Sequence, residues 1–263
     1  MTQPWSEFHK RWFKLQPPQR VTDEVAARFG AAVAGHDRHV LLLGVTPQLA
    51  GIGAKLTAVD RSENMIASVW PGDDARRRAI HADWRGMTFS GPPFTAVIGD
   101  GSFNCLEYPG EYEIVLGRIA AALAPGARFV LRVFTTPAPC ETLDALVQKT
   151  RSGNVESMHA LRWRLAMAAV TQAGDPNIPV IRIRDLFDEK FPDRAALARE
   201  TGWSEADIET IDNYRDSPDR VSFPTEAQLR SIVPKVFSGV RLLPSGRYDL
   251  AERCPLVTMT FTG

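Results

Sequence analysis

Five short apolar runs mark the first half of the chain, at residues 39–43, 56–59, 79–82, 94–98 and 129–134. Each is nearly continuous rather than alternating, the pattern of a strand buried on both faces of a parallel sheet. Between the fourth and fifth runs, Tyr112, Val115, Leu116, Ile119 and Leu123 fall on one face of a helix, with Pro125-Gly126 as its stop. Upstream, Trp5, Phe8 and Trp12 predict a short aromatic-faced helix ended by Pro17-Pro18. A second helix, capped by Thr22, carries Val25, Phe29 and Val33 before Gly35. Strands alternating with helices predict an α/β fold with a doubly wound, mostly parallel sheet.

The strand rhythm stops over residues 139–224, where helical patterns cover 161–170, 194–201 and 204–214. Gly202 suits the end of one helix, and Ser204 with Asp207 suits the start of the next. Regular signals return at Thr225, which forms a capping box with Gln228 for a helix carrying Leu229, Ile232 and Val233. Two last runs, 239–243 and 256–261, read as an antiparallel pair at the sheet edge, bringing the sheet to seven strands. The chain thus divides into an N-terminal helical lid segment (1–35), a core (36–138), a mostly helical insertion or lid (139–224) and a C-terminal return to the core (225–263).

Composition narrows the function. The 263 residues carry 31 Lys and Arg against 31 Asp and Glu, so no overall field draws polyanions. Residues 182–220 hold seven basic and eleven acidic side chains, which disfavours a phosphate-backbone groove and, with it, nucleic acid as a partner. No stretch approaches the ~18 apolar residues of a membrane span, and the charged first thirty residues are unlike a signal peptide, so a cytoplasmic protein is expected. Cys105, Cys140 and Cys254 lie far apart with no CxxC or Cys/His grouping, so neither a disulfide framework nor a metal site is expected.

In such a sheet the ligand site lies off the carboxyl ends of the strands, where strand order reverses. After the first run, Gly44-Val45-Thr46-Pro47 permits a tight turn into a helix, with Thr46 as cap and Pro47 at its first position, and its free N–H groups suit a carboxylate. Asp60, at the end of the second run, suits a ribose diol. Asp83, ending the third, suits an exocyclic amine, and Trp84 beside it could flank a base. Each acid would serve equally as a turn or helix cap. Gly99-Asp100-Gly101 follows the fourth run, beneath the reacting end of a ligand.

Together these segments resemble the motifs of class I S-adenosylmethionine-dependent methyltransferases. VLLLGVTPQLA resembles the first motif, TAVDRSENMI the acidic second-strand motif, HADW the adenine-side acid, FTAVIGDGSFNCL the fourth-strand motif, and LAPGARFVLRVF the fifth strand with its turn. The resemblance spans residues 36–137 and 225–263. It implies a Rossmann-like, seven-stranded core that binds S-adenosylmethionine, with S-adenosylhomocysteine as product, through Gly44, Val45, Thr46, Pro47, Asp60, Arg61, Met65, Ala82, Asp83, Trp84, Gly99, Asp100 and Gly101. The sequence departs from the family where Leu42 replaces the usual acid before the first glycine, and where Thr46 and Gln48 replace later glycines.

The implied reaction is methyl transfer to a small-molecule acceptor under a lid. No catalytic residue is assigned; Asp100, His9 and His159 are candidates, each more often structural or solvent-facing. Trp5, Trp12, Trp163 and Trp203 could line an acceptor pocket, though aromatics at helical spacing are more often core. Arg162 and Arg164 could pair an acidic substrate, but a solvated helix face is the simpler account. Two alternatives stand beside this reading: a nicotinamide-dependent oxidoreductase, disfavoured by the missing G-x-G-x-x-G, and a non-catalytic nucleoside-binding or interaction protein on a degenerate methyltransferase fold.

Overall fold

A computed structural model describes residues 9–263, with side chains from Trp12 onward. The expected aromatic face of the first helix therefore rests on Trp5 and Phe8, which lie outside the described residues, and on Trp12, in a 3-10 helix at His9–Lys14. Helix α1 (Asp23–Val33) follows, its Thr22 hydroxyl accepting from the Val25 amide as the cap pattern predicts.

Strands β1 (Val40–Leu43), β2 (Leu56–Asp60), β3 (Arg77–His81), β4 (Phe94–Asp100) and β5 (Leu123–Arg132) run parallel, joined in part by α2 (Glu63–Ser68) and α3 (Gly110–Ala120). Leu123 belongs to β5, opposite Phe94, and not to the preceding helix; α3 stops at Ala120, and its i, i+4 spacing to Leu123 is broken by the turn. β1 shows why these strands read as unbroken apolar runs. Val40 and Leu42 join the α1 side of the sheet with Val25 and Phe29, while Leu41 and Leu43 join the other face with Tyr112 and Phe129. β3 departs from this pattern. It is one edge of the sheet and only half-buried, so its two apolar residues, Ala79 and Ile80, are flanked by exposed Arg78 and His81.

The segment between β5 and the C-terminal pair contains α4 (Leu143–Arg151), α5 (Met158–Ala173), β6 (Asn177–Pro179), α6 (Val180–Lys190), α7 (Arg194–Thr201), α8 (Glu205–Ile208) with a 3-10 extension to Tyr214, and β7 (Arg220–Ser222). β6 and β7 pair as a small antiparallel sheet, too short for periodicity to reveal. Around α5 gathers a separate apolar core that includes Phe134, Trp163, Phe187 and Phe223. Gly202 ends α7 in the left-handed conformation and the Ser204 hydroxyl caps α8, as their residue types predict. The capping box of Thr225 and Gln228 opens α9 (Glu226–Ser231), which ends before Ile232 and Val233. β8 (Phe237–Leu243) and β9 (Leu256–Phe261) complete the sheet in the order β3-β2-β1-β4-β5-β9-β8, with β9 antiparallel to β5. The order reverses at β1, between β2 and β4, and it is there that a cleft opens beyond the strand ends.

Candidate functional site

The cleft is a concave space open to solvent at its mouth. Its wall takes Gly44, Val45 and Thr46 from the turn after β1, Asp60 and Arg61 from the tip of β2, Met65 from α2, Asp83 and Trp84 after β3, and Asp100 and Gly101 from the end of β4. The sequence places all of these at the site. Pro47, Ala82 and Gly99 are outside the lining. Gly99 sits in the packed sheet, where a Cβ would meet the Ser102 hydroxyl at 2.5 Å and Leu131 at 2.8 Å, so packing accounts for that glycine.

Gly44 adopts φ +97°, a conformation that favours glycine, and donates its amide to the Val59 carbonyl at 2.8 Å. The expected helix after this turn is a single 3-10 turn at Pro47–Leu49. Pro47 does take its first position, but the Thr46 side chain caps nothing. Three residues of 3-10 helix supply little of the aligned N–H array that a full helix would present to a carboxylate.

Asp60 is held from one side. Its Oδ1 accepts the Ser62 amide at 2.8 Å, and its Oδ2 is 3.9 Å from where a Cβ on Gly44 would stand. No donor among the described residues reaches Oδ2. Burial pushes this carboxyl up from the ordinary range, against the pull of the Ser62 amide and Arg61. Asp83 is more committed: Arg85 grips both carboxylate oxygens and holds its pKa down, while reaching Glu111 with its other arm. A carboxylate has about four lone-pair positions, so room for one further donor remains on Asp83. Trp84 donates its indole N–H to the Val59 carbonyl at 2.6 Å, fixing the ring beside the β2 tip.

Asp100 is not a free base. Arg132, wholly buried on β5, binds Oδ1 through Nε and Oδ2 through Nη2 at 3.0 Å, and donates further to the Tyr248 hydroxyl and the Pro18 carbonyl. Gly101, next along, has φ +62° and abuts Phe134, whose ring a Cβ would meet at 2.8 Å. The other candidate bases are no closer to a role: His159 is buried inside the insertion, and the side chain of His9 lies outside the described residues.

Sequence reasoning missed Ser102, Cys105, Leu106, Arg85 and Arg220 as lining residues. Arg220 arrives from β7, and its pairing with Glu107 at 2.7 Å ties the insertion to the rim, as does Arg61 with Asp219 at 3.6 Å. No local signal could have placed a residue more than a hundred positions downstream at this rim. Among the four tryptophans, Trp12 lines the cleft. Trp163 and Trp203 pack into the insertion's core, and Trp5 lies outside the described residues. The solvated face expected for α5 does not exist. Arg162 and Arg164 are both buried, because this helix is enclosed on all sides over its first three turns.

No family model matches the chain, and no curated protein matches it in sequence. Solved structures do resemble it. The N-methyltransferase NodS from Bradyrhizobium japonicum WM9, in complex with S-adenosylhomocysteine, aligns over 98% of both chains with TM-score 0.53 and 10% identity. The CcbJ methyltransferase from Streptomyces caelestis aligns over 100% of this chain and 99% of its own, with TM-score 0.57 and 13% identity. A Rhodobacter sphaeroides protein provisionally named as a Zn-dependent alcohol dehydrogenase aligns over 100% of both chains, with TM-score 0.57 and 12% identity. At such identities the likeness is one of fold: a Rossmann-like, seven-stranded sheet with an antiparallel C-terminal pair, as the motif order implies. Chemistry has to be argued from the site.

Proposed function

We propose that this chain is an S-adenosylmethionine-dependent methyltransferase acting on a small-molecule acceptor, with S-adenosylhomocysteine as product. One observation carries the reading: a carboxylate at the β2 tip, Asp60, oriented by a backbone amide and with its second oxygen unclaimed beside a glycine turn. That arrangement suits the two hydroxyls of a ribose. The surrounding residues fit the rest of the cofactor. Met65 and Trp84 would flank the adenine, Asp83 would accept its amine, and the Gly44–Thr46 turn with the Gly101 amide would receive the methionine end. NodS, with S-adenosylhomocysteine bound, supports the same placement at the level of the fold.

Bound there, the cofactor supplies an electrophilic methyl group. What remains for the protein is to align the acceptor, exclude water and keep competing nucleophiles away. With both oxygens of Asp100 paired to Arg132, no general base stands free at the reacting end among the described residues, so the acceptor is expected to be a nucleophile that needs little deprotonation at neutral pH. Residues 1–35 and 139–224 would act as the cover, an inference supported by Trp12 and Arg220 at the mouth. The acidic balance of residues 182–220 favours a small molecule over nucleic acid. No helix among the described residues is long and apolar enough to cross a membrane.

The shortened turn after β1 is the observation that favours a second reading, a nucleoside-binding protein without turnover. Calorimetric titration with S-adenosylmethionine, S-adenosylhomocysteine and, as control, NAD tests the first. Saturable binding of the sulfonium and its product alone is expected. Binding of NAD instead, or of none of the three by folded protein, would overturn it. Binding without turnover across a broad acceptor panel would select the second reading.

A further inference from the structure

Two arginines two residues apart on α5 are buried in opposite ways. Arg164 has two carboxylates, Glu141 at 2.9 Å and Asp249 at 2.6 Å. Arg162, 1% exposed, has none: among the described residues no carboxylate lies within ion-pair distance of it. Its Nη1 donates to the Gln19 side-chain oxygen at 3.2 Å, its Nη2 to the Thr210 hydroxyl at 2.6 Å, and the guanidinium sits 4.9 Å from the centre of the Tyr214 ring. Its Nε is buried without a partner. The Tyr214 hydroxyl lies within its hydrogen-bonding reach as well, so of the five N–H groups of the guanidinium two are unspent. One turn earlier, His159 is completely buried with both ring nitrogens unpartnered. An uncompensated buried cation costs several kcal/mol and adds nothing to stability that an apolar side chain would not.

The cluster adjoins the cleft. Phe134 packs against Gly101 of the lining on one side and stacks on Trp163, the neighbour of Arg162, at 5.6 Å on the other. Pro18 and Gln19 tie the two together, Pro18 accepting from Arg132, which holds Asp100 of the lining, and Gln19 accepting from Arg162. Over the cluster runs the strap of residues 17–19, which accepts from Ser157 through Pro17 and from Arg162 through Gln19.

We propose that Arg162, assisted by His159, is the anion subsite of the methyl acceptor, and that the acceptors are small molecules bearing a carboxylate. The inference rests on the methyltransferase reading of the adjoining cleft. A planar fork with two unspent N–H groups matches the two oxygens of a carboxylate. The charge selects it over a phosphate: burial and the neighbouring guanidinium push His159 down to about 3, so it is neutral and the cluster carries one positive charge, which a monoanion balances and a dianion does not. The acceptor lies with its carboxylate at Arg162 and its nucleophile beyond the Phe134 ring, towards Gly101. Binding requires that ring or the Gln19 strap to shift.

The test is calorimetric titration of the full chain, with and without saturating S-adenosylhomocysteine, using matched acids and amides: benzoate with benzamide, phenylacetate with phenylacetamide, hexanoate with hexanamide, and phenyl phosphate as the dianion. At least one acid is expected to bind about tenfold or more tighter than its amide, the scale on which a site rejects an analogue that leaves its buried donors unpaired. Arg162→Met should abolish that preference, leave S-adenosylhomocysteine affinity unchanged and melt no lower than the parent. Should Arg162→Met fail to fold, Arg162→Lys is expected to keep the charge but lose most of the preference. An acid preference that survives either substitution, the absence of any preference in the parent chain, or a stronger response to phenyl phosphate than to every carboxylate would overturn the proposal. An Arg162-dependent preference in a chain that ignores S-adenosylhomocysteine would instead overturn the methyltransferase reading and keep the anion site.

Discussion

The strand tips and helix α5 handle charge in opposite ways. At the tips of β2 and β3, Asp60 and Asp83 stand half-buried at the cleft, each steadied by one local partner two residues on. On α5, Arg162, Arg164 and His159 are sealed from solvent, and their partners, where they have any, come from residues 19, 141, 210 and 249. The first arrangement is built by adjacent residues and leaves capacity for a ligand. The second depends on the whole fold being closed around it. Half-open charges at the tips should therefore govern binding with little effect on stability, and sealed charges should govern stability unless a ligand is their intended partner.

The Arg132–Asp100 pair offers the most severe test, because it is a sealed charge pair at a strand tip. Arg132→Met leaves the Asp100 carboxylate buried and unpaired, a change expected to cost about 3–5 kcal/mol in urea unfolding. Adding Asp100→Asn should recover part of the loss. A single variant as stable as the parent would mean that the pair is open to water and that sealing is not what distinguishes the two regions. Asp60→Ala should show the opposite profile: unchanged unfolding, but S-adenosylhomocysteine binding weakened by about 1.5–3 kcal/mol, the scale of hydrogen bonds to a charged acceptor. Unchanged affinity in the folded variant would remove Asp60 from the ribose site.

These differences also explain what could be read from the sequence. The parallel core was legible because β1, β2 and β4 are buried on both faces, so their composition alone marks them. Asp60 and Asp83 were legible because a strand tip is defined by where the apolar run stops. Gly99 stands outside the lining of the cleft, and its lack of a side chain answers to the packing of Leu131 and Leu43. Nothing local in the run around Arg162 announces burial. A helix with alternating arginines looks solvated until the partners arrive from four distant segments. The β6–β7 pair was invisible for a related reason: three-residue strands carry no period, and their pairing joins residues some forty positions apart.

His159 sharpens the sealed side through pH. Its folded pKa, about 3, lies below the unfolded value near 6.5. The unfolded chain therefore binds the extra proton between these values, and the associated stability is complete above about pH 6.5 and lost as the pH falls towards 3. At pH 5 the deficit is expected to be about 2 kcal/mol, from roughly 1.5 units of pH below the unfolded pKa at 1.36 kcal/mol per unit. His159→Leu loses no hydrogen bond, since neither ring nitrogen has one. Its stability difference from the parent should shift in favour of the variant by that amount between pH 7.5 and pH 5. A difference independent of pH would mean that the imidazole is reached by water after all.

The weakest effect belongs to the ion pair across the cleft mouth. Arg61 is 55% exposed and stands 3.6 Å from Asp219, so solvent and salt screen the pair, and a double-mutant cycle with Arg61→Ala and Asp219→Ala should give a coupling of about 0.5 kcal/mol or less in unfolding. Repeating the cycle on S-adenosylhomocysteine affinity asks a different question. Arg61 follows Asp60 directly, so a bound ribose that orders the β2 tip would also hold the guanidinium towards the insertion, and coupling should then exceed its value in the free protein. Equal coupling in both states would show that the two sides of the mouth close independently of the cofactor, leaving the insertion to respond to the acceptor alone.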